Sequence, residues 1–371
     1  MSGITISKAV IHALNKEQHK PIKPSDIRTK LLDPDHSAVF KVVDGVISIY
    51  GTRKNNAHFG TFNKGEGRGS FPDSFEKYWK GKSRAEEEFL GLTHNAMDRF
   101  YDKASSIHAS SGGYILFSEY TQNKKTYLLI AMVKQKPGIT LSENLEPEEL
   151  MHLDLSKVHQ AARISFSKRD AYEAADATKK QELNYLSFVS PSTSKAASGY
   201  FVMALGCSQG TASATGTKTL ITESRKFFQD NPDLKPNKEY FMAELLEHLR
   251  AKEEKKESVK LSEIENIARK HIPEDLSDEA DDIAEKLLSH LNSEDCGVPV
   301  EFPVSSTALK RFTHISGEAD SWKTSFNRTA LGTDPSAEVY WDKENNKLIL
   351  KGVPSSMRTL IENELKERQR D

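Results

Sequence analysis

Gly206-Cys207-Ser208-Gln209-Gly210 matches the G-x-S-x-G spacing of a nucleophile elbow, in which a sharp strand-to-helix turn exposes a serine to a base. The apolar run Tyr200–Leu205 precedes it, and acids and histidines (Glu244, His248, His271, His314) follow downstream. An elbow belongs to a parallel α/β sheet, and no regular βα alternation surrounds this one, so chance Gly/Ser spacing is the better reading. Gly210–Thr219 contains two glycines and Lys218 in the manner of a phosphate-binding loop. Five residues separate the glycines and Thr217 separates Gly216 from Lys218, so amides and ammonium would miss the phosphates. Gly65-x-Gly67-x-Gly69 follows no strand, and fails as a dinucleotide fingerprint. His152 and Asp154 would share a strand face as a metal or acid–base pair, although a polar rim is commoner. Neither paired cysteines nor His-x-x-x-His occur, so no metal and no cofactor are expected.

The remaining chemistry is electrostatic. From Gly51 to Arg84, eight basic residues (Arg53, Lys54, Lys64, Arg68, Lys77, Lys80, Lys82, Arg84) face three acids (Glu66, Asp73, Glu76). Glycines and the aromatics Phe59, Phe62, Phe71, Phe75, Tyr78 and Trp79 are interleaved. A basic loop with open amides can track phosphates while its aromatics stack on bases. The alternative is a long surface loop whose aromatics pin it to a core. Lys195, in the turn after Pro191, is a further isolated cation.

Bulk properties set limits on what these groups can do. The 371 residues suffice for roughly two domains, on the order of 150 residues each. With 37% hydrophobic and 29% charged residues the composition is that of a globular protein with real cores, and the net charge of −2 gives no general support for nucleic acid. No apolar run approaches a membrane span and no secretory leader is seen, while the cysteine usage fits a reducing cytoplasm. Two distant cysteines, Cys207 and Cys296, argue against a disulfide framework or a cysteine-based zinc site.

Hydrophobic spacing supplies the frame. Ile4, Ile6, Val10, His12 and Leu14 predict a strand with these residues on one face. A helix should follow Asp33-Pro34-Asp35 and stop at Gly51, and another should cover about 84–108. Tyr114–Tyr120 and Thr126–Val133 predict a β-hairpin, with further strands at 151–155 and 183–189 and a short helix or strand over 158–164. Helices are expected near 217–229, 238–256, 261–271 and 276–292, the last opening on seven acids between Glu274 and Lys286. A strand at 298–304, a helix capped by Ser305, a hairpin from Val339 to Leu350 and a basic terminal helix complete the chain. The expected fold is α+β. An N-terminal, mainly antiparallel sheet with helices (1–210) carries the basic loop, a helical region (211–295) follows, and a small α+β part (296–371) ends the chain.

As a whole the chain resembles the bacterial nucleoid-associated protein family known as NdpA or YejK. The resemblance rests on Ser111–Phe117, Tyr127–Ala131, Leu141–Leu145, His152–Leu155, Tyr185–Phe188, Tyr200–Ser208, Tyr340–Asp342 and Leu348–Pro354, in order along the chain. It implies a nucleoid-located, DNA-associated homodimer without catalysis, with DNA topoisomerases among its partners. The turn Ser190–Ser194 departs from the family pattern, with Lys195 its only charge, which shifts the expected DNA contact to Arg53, Lys54, Lys64, Arg68, Lys77, Lys80, Lys82 and Arg84. A Ser208-dependent hydrolase or a nuclease-like effector, carried by a mobile element or defence locus, is the alternative.

Overall fold

The computed structural model describes residues 3–50, 57–65, 67–156, 160–189, 195–209 and 213–369. The chain packs as two compact units, Met1–Val304 and Ser305–Asp371, so the helical stretch after residue 213 belongs with the sheet that precedes it.

The first unit runs β1 (Ile4–Leu14), α1 (Ser37–Ile49), β2 (Ala57–Phe62), α2 (Phe71–Lys80), α3 (Glu86–Ser105), β3 (Gly113–Gln122) and β4 (Lys125–Val133). It continues through β5 (Gln135–Leu141), β6 (Pro147–Leu153), β7 (Gln160–Ser165), α4 (Phe166–Ala174), α5 (Ala177–Lys180), β8 (Leu186–Val189), α6 (Lys195–Ala204) and β9 (Cys207–Gln209). It closes with α7 (Ser213–Asp230), α8 (Lys238–Glu254), β10 (Ser258–Lys260), α9 (Leu261–Lys270), α10 (Ala280–Leu291) and β11 (Glu301–Pro303). The second unit holds α11 (Ser306–Thr313), β12 (His314–Ala319), β13 (Trp322–Asn327), β14 (Leu331–Gly332), β15 (Val339–Asp342), β16 (Lys347–Leu350) and α12 (Ser355–Arg368). The α+β class expected from the sequence is the class found.

Seven strands form one sheet in the order β1-β3-β4-β7-β8-β2-β9, with every neighbouring pair antiparallel. The β4 side chains explain why it is covered on both sides. Leu128, Ile130 and Met132 enter a core shared with α2, α3 and α6, while Tyr127, Leu129, Ala131 and Val133 enter a second core with Val43 and Val46 of α1. Alternation places successive side chains on opposite faces, so an unbroken apolar run is the mark of a strand buried twice. The β3–β4 hairpin turns through Asn123 and Lys124, both at positive φ, as a tight two-residue connection requires.

β1 corrects one expectation. Its pairing with β3 shifts between Ile6 and Lys8. A one-residue bulge exchanges the faces of everything beyond it. Ile4 and Ile6 therefore join Ala9 in the α1 core, while Val10 and Leu14 join the opposite core, so the five residues do not share a face.

Candidate nucleic-acid interface

The basic segment folds as a strand and a helix rather than as a loop, while most of its aromatics pack into the core as the second of the two readings expected. β2 enters the sheet between β8 and β9, and α2 forms because Phe71, Phe75 and Tyr78 recur at helical spacing behind a proline in the first turn. These three side chains, with Phe59 and Phe62, are nearly or fully buried, and Phe62 packs edge-on against Phe71, Phe75 and Tyr185. Burying one such side chain is worth about 1.5–3 kcal/mol. Stacking one on a nucleobase gains about 1–3 kcal/mol, which cannot offset pulling five of them from a packed core. The expectation that these aromatics meet bases is thereby overturned. Trp79 is half-buried, between Lys80 and the Arg169 guanidinium 4.7 Å from its ring.

The turn before α2 is closed by Gly206 and Arg68. Gly206 has φ +64°, and a Cβ there would lie 2.0 Å from the Arg68 carbonyl oxygen, so only glycine fits. This supplies a packing reason for one glycine of the G-x-S-x-G motif. Arg68 donates to Asp73 Oδ1 through Nε (3.1 Å) and Nη2 (2.9 Å), to Glu76 Oε1 (2.9 Å) and to the Asn63 carbonyl (3.2 Å). Buried Arg169 also donates to Glu76, at 3.2 Å, and to Glu173, at 2.7 Å. Arg68 is thus a clasp inside an ion network rather than a free cation. Arg84 is similarly engaged, 3.5 Å from the Glu119 carboxylate and stacked 5.1 Å from the Phe166 ring. Glu119 is itself buried and accepts from Tyr78 Oη at 2.7 Å.

The lysines differ. Lys64, Lys77, Lys80 and Lys82 are exposed. Lys80 approaches Glu173 at 3.9 Å, whereas no carboxylate among the described residues lies within 4.0 Å of the other three. Lys77 lines a cleft between α2 and α3 with Glu87 and Glu88 opposite, so acid at the start of α3 tempers this end of the surface. Arg53 and Lys54 lie outside the described residues, and Lys195 opens α6 with its side chain outside them.

A second basic segment carried no expectation. Residues 16–30 contain five Lys/Arg and two acids. This strap runs along the free edge of β1, bridging Ala13 to Asp26 and Ala9 to Leu32, and so covers an edge that would otherwise invite pairing. Buried His12 anchors it: Nδ1 accepts from the Arg28 amide at 3.1 Å, and Nε2 lies 3.0 Å from Thr93 Oγ1 of α3. Because Thr93 Oγ1 donates to the Leu90 carbonyl, the His12 Nε2 proton points at Thr93 and the ring is neutral. Burial first, then His94 and Arg28, lower its pKa to about 4. Lys20 pairs with Glu17, while Lys23, Arg28 and Lys30 are exposed with no described carboxylate within 4.0 Å. The segment was missed because its charges are spaced without aromatics or glycines among them.

The alternative sites do not assemble. Ser208 sits in the middle of β9, paired opposite Thr61, with α6 before the strand, so it lies within a strand rather than in a described turn. His271 bonds Glu244 at 2.7 Å and His248 bonds Glu263 at 3.2 Å, both between α8 and α9, and no described hydrogen bond joins either histidine to Ser208. Ser213–Thr219 is the first two turns of α7 rather than a phosphate loop, with Gly216 packed on Phe302. Asp154 bonds Ser156 and pairs with Lys136 at 3.0 Å instead of meeting His152.

Sequence reading also missed a buried junction. Arg163 of β7 donates to Glu294 at 2.9 Å and lies 4.6 Å and 5.2 Å from the rings of Tyr50 and Tyr127. Lys168 reaches the same carboxylate at 3.4 Å. Burial alone would raise the Glu294 pKa, but the charges of Arg163 and Lys168 outweigh it and hold the group below its ordinary range. Among the described residues no helix is long and apolar enough to cross a membrane.

Comparison with known proteins finds relatives over nearly the full length. Residues 10–358 match the family model described as nucleoid-associated protein YejK. A nucleoid-associated protein of Pseudomonas paraeruginosa (strain PA7) is 26% identical over 365 residues, covering 98% of each chain. Nucleoid-associated proteins of Pseudomonas fluorescens (strain Pf0-1) and Pseudomonas aeruginosa (strain UCBPP-PA14) are 23% and 26% identical, covering 95% of this chain and 97% and 96% of theirs. The chain belongs to the YejK family of nucleoid-associated proteins.

Proposed function

We propose that this protein binds DNA at the nucleoid, holding the phosphate backbone through exposed lysines and performing no reaction on it. The family match over residues 10–358 is the observation that carries this reading. The exposed lysines Lys64, Lys77, Lys80 and Lys82 supply cations of the right kind. A lysine is a flexible point charge that neutralises a phosphate without demanding a base geometry. Arg68 and Arg84 leave the proposed site because carboxylates already hold their guanidiniums. Lys23, Arg28 and Lys30 of the strap join it as a second contact. We further propose that it works as a homodimer, with DNA topoisomerases as candidate partners. The hairpin β5–β6 offers exposed Ile139, Leu141, Leu145 and Met151 for a second copy.

The test is a salt-titrated binding assay on single- and double-stranded DNA, with and without Mg²⁺. Each phosphate contact removed should reduce the dependence of log K on log salt by about 0.9 for duplex DNA. Replacing Lys64, Lys77, Lys80 and Lys82 together by alanine should therefore flatten the slope and weaken binding to all sequences alike. Unchanged affinity and slope would remove these lysines from the site. Mg²⁺-dependent nicking would replace the binding role by a nuclease.

A further inference from the structure

Three side chains far apart in the sequence converge where α7, α10 and the loop beyond α10 meet. Glu223 lies on α7, His290 in the last turn of α10, and Cys296 in the following loop. His290 Nε2 is 3.0 Å from Glu223 Oε2 and 3.6 Å from Cys296 Sγ, and the three donor atoms all lie within 4.8 Å of one another. They face a cleft of about 560 Å³ between the helical layer and the 182–184 segment.

We infer that Glu223, His290 and Cys296 form a binding site for a zinc ion, with the fourth position open to the cleft. A tetrahedral zinc with bonds of about 2.3 Å to sulfur and about 2.0–2.1 Å to nitrogen and oxygen places S and N about 3.5 Å apart and N and O about 3.3 Å apart. The observed 3.6 Å and 3.0 Å need only small adjustments to reach that geometry. The donor set is one thiolate, one imidazole and one carboxylate. Thiolate and imidazole favour zinc and disfavour magnesium or calcium, which take oxygen. Thiolate and carboxylate together carry two negative charges, enough to neutralise a divalent ion. On binding, the Sγ–H bond breaks, a zinc–sulfur bond forms, and the proton leaves to solvent. His290 gives up its Nε2–H hydrogen bond to Glu223, the ring proton moves to Nδ1 by exchange with solvent, and Nε2 presents its lone pair to the ion.

The ligand-bearing loop is held on both sides of the cysteine. Asn292 bonds the Ala57 backbone N–H and C=O and the Val298 carbonyl, Glu294 pairs with Arg163 and Lys168, and Gly297 turns the chain at φ +63° directly after Cys296. A site fixed this way loses little entropy when the ion binds. Lys168 and Lys226 also line the cleft, and Lys168 pairs with Glu294, a carboxylate it shares with Arg163. A bound zinc would tie α7 to the loop that anchors the first residue of β2.

The decisive experiment is a Co²⁺ titration of the tag-free, reduced, full-length protein, read by absorbance. A sulfur-to-cobalt band in the near ultraviolet, with visible bands of tetrahedral intensity, should saturate at one equivalent and vanish when Zn²⁺ is added. Cys296→Ser should remove the sulfur band, Glu223→Gln and His290→Gln should weaken binding, and Cys207→Ser, whose thiol is buried elsewhere, should leave it intact. Zn²⁺ should also raise the melting temperature of wild type and not of Glu223→Gln. Absence of the sulfur band in wild type would overturn the site. So would a band that survives Cys296→Ser and disappears in Cys207→Ser. Circular dichroism identifies a variant that fails to fold, in which case the wild-type titration and Glu223→Gln decide.

Discussion

The segment 63–84 and the strap 16–30 are both rich in positive charge, yet they hold it differently. In the first, Arg68 and Arg84 are drawn into carboxylate networks, and exposed Lys77 looks across at the acidic start of α3. In the second, Lys23, Arg28 and Lys30 lie along a sheet edge with no described carboxylate partner, Arg28 Nε donating to the Lys30 carbonyl at 3.4 Å, and their support comes from a neutral buried histidine. Counting charges along a sequence cannot separate these cases. The field available to a phosphate depends on which cations already have carboxylate partners, and in 63–84 the planar guanidinium forks of Arg68 and Arg84 are held by carboxylates.

That contrast predicts a graded set of outcomes. The largest stability loss should come from the buried junction: Arg163→Met leaves Glu294 with Lys168 alone and should cost on the order of 3 kcal/mol by chemical denaturation. The strap should be the acid-sensitive region. The folded His12 pKa of about 4 lies below the unfolded value, which is about 6.5. Its contribution is therefore full above about pH 6.5 and is lost as pH falls toward about 4, a change of up to roughly 3 kcal/mol. Protonated Nδ1 can no longer accept from the Arg28 amide, so hydrogen exchange of that amide should accelerate over the same window, and His12→Gln should abolish the pH dependence. Arg68→Gln should be milder, about 1 kcal/mol, because its pairs are partly solvent-screened. The smallest effect should come from Glu86→Gln with Glu87→Gln. It should cost about 0.5 kcal/mol per residue through the helix dipole while raising DNA affinity slightly, and no change in affinity would show that these acids do not temper the α2 lysines.

Much of the frame was legible in the sequence because burial leaves a period. The β3–β4 hairpin, α3 and the helices α7 to α10 stand where apolar spacing placed them. The strand expected at 151–155 overlaps only the end of β6, and β5 and the β12–β13 hairpin carried no expectation, because these strands are largely exposed and Pro137, Gly138 and Pro147 read as breakers. α2 was concealed by the glycines before it and by lysines on its outer face, although Phe71, Phe75 and Tyr78 carried the helical period throughout. Tyr200 and Phe201 were read as an apolar run leading to an elbow, but they belong to a helix, with their side chains in the core. Which cations are free was not legible at all, since Arg169, the second partner of Glu76, comes from a distant part of the chain.

The most direct test sets the two kinds of cation against each other in one assay. The salt dependence of duplex DNA binding is compared among wild type, the Lys64/Lys77/Lys80/Lys82 alanine variant and Arg68→Gln. The lysine variant should lose up to about 3.6 units of slope if all four reach phosphates, while Arg68→Gln should keep the wild-type slope despite its lower stability. A slope that falls in Arg68→Gln and holds in the lysine variant would contradict the account, as would a wild-type protein that does not bind DNA.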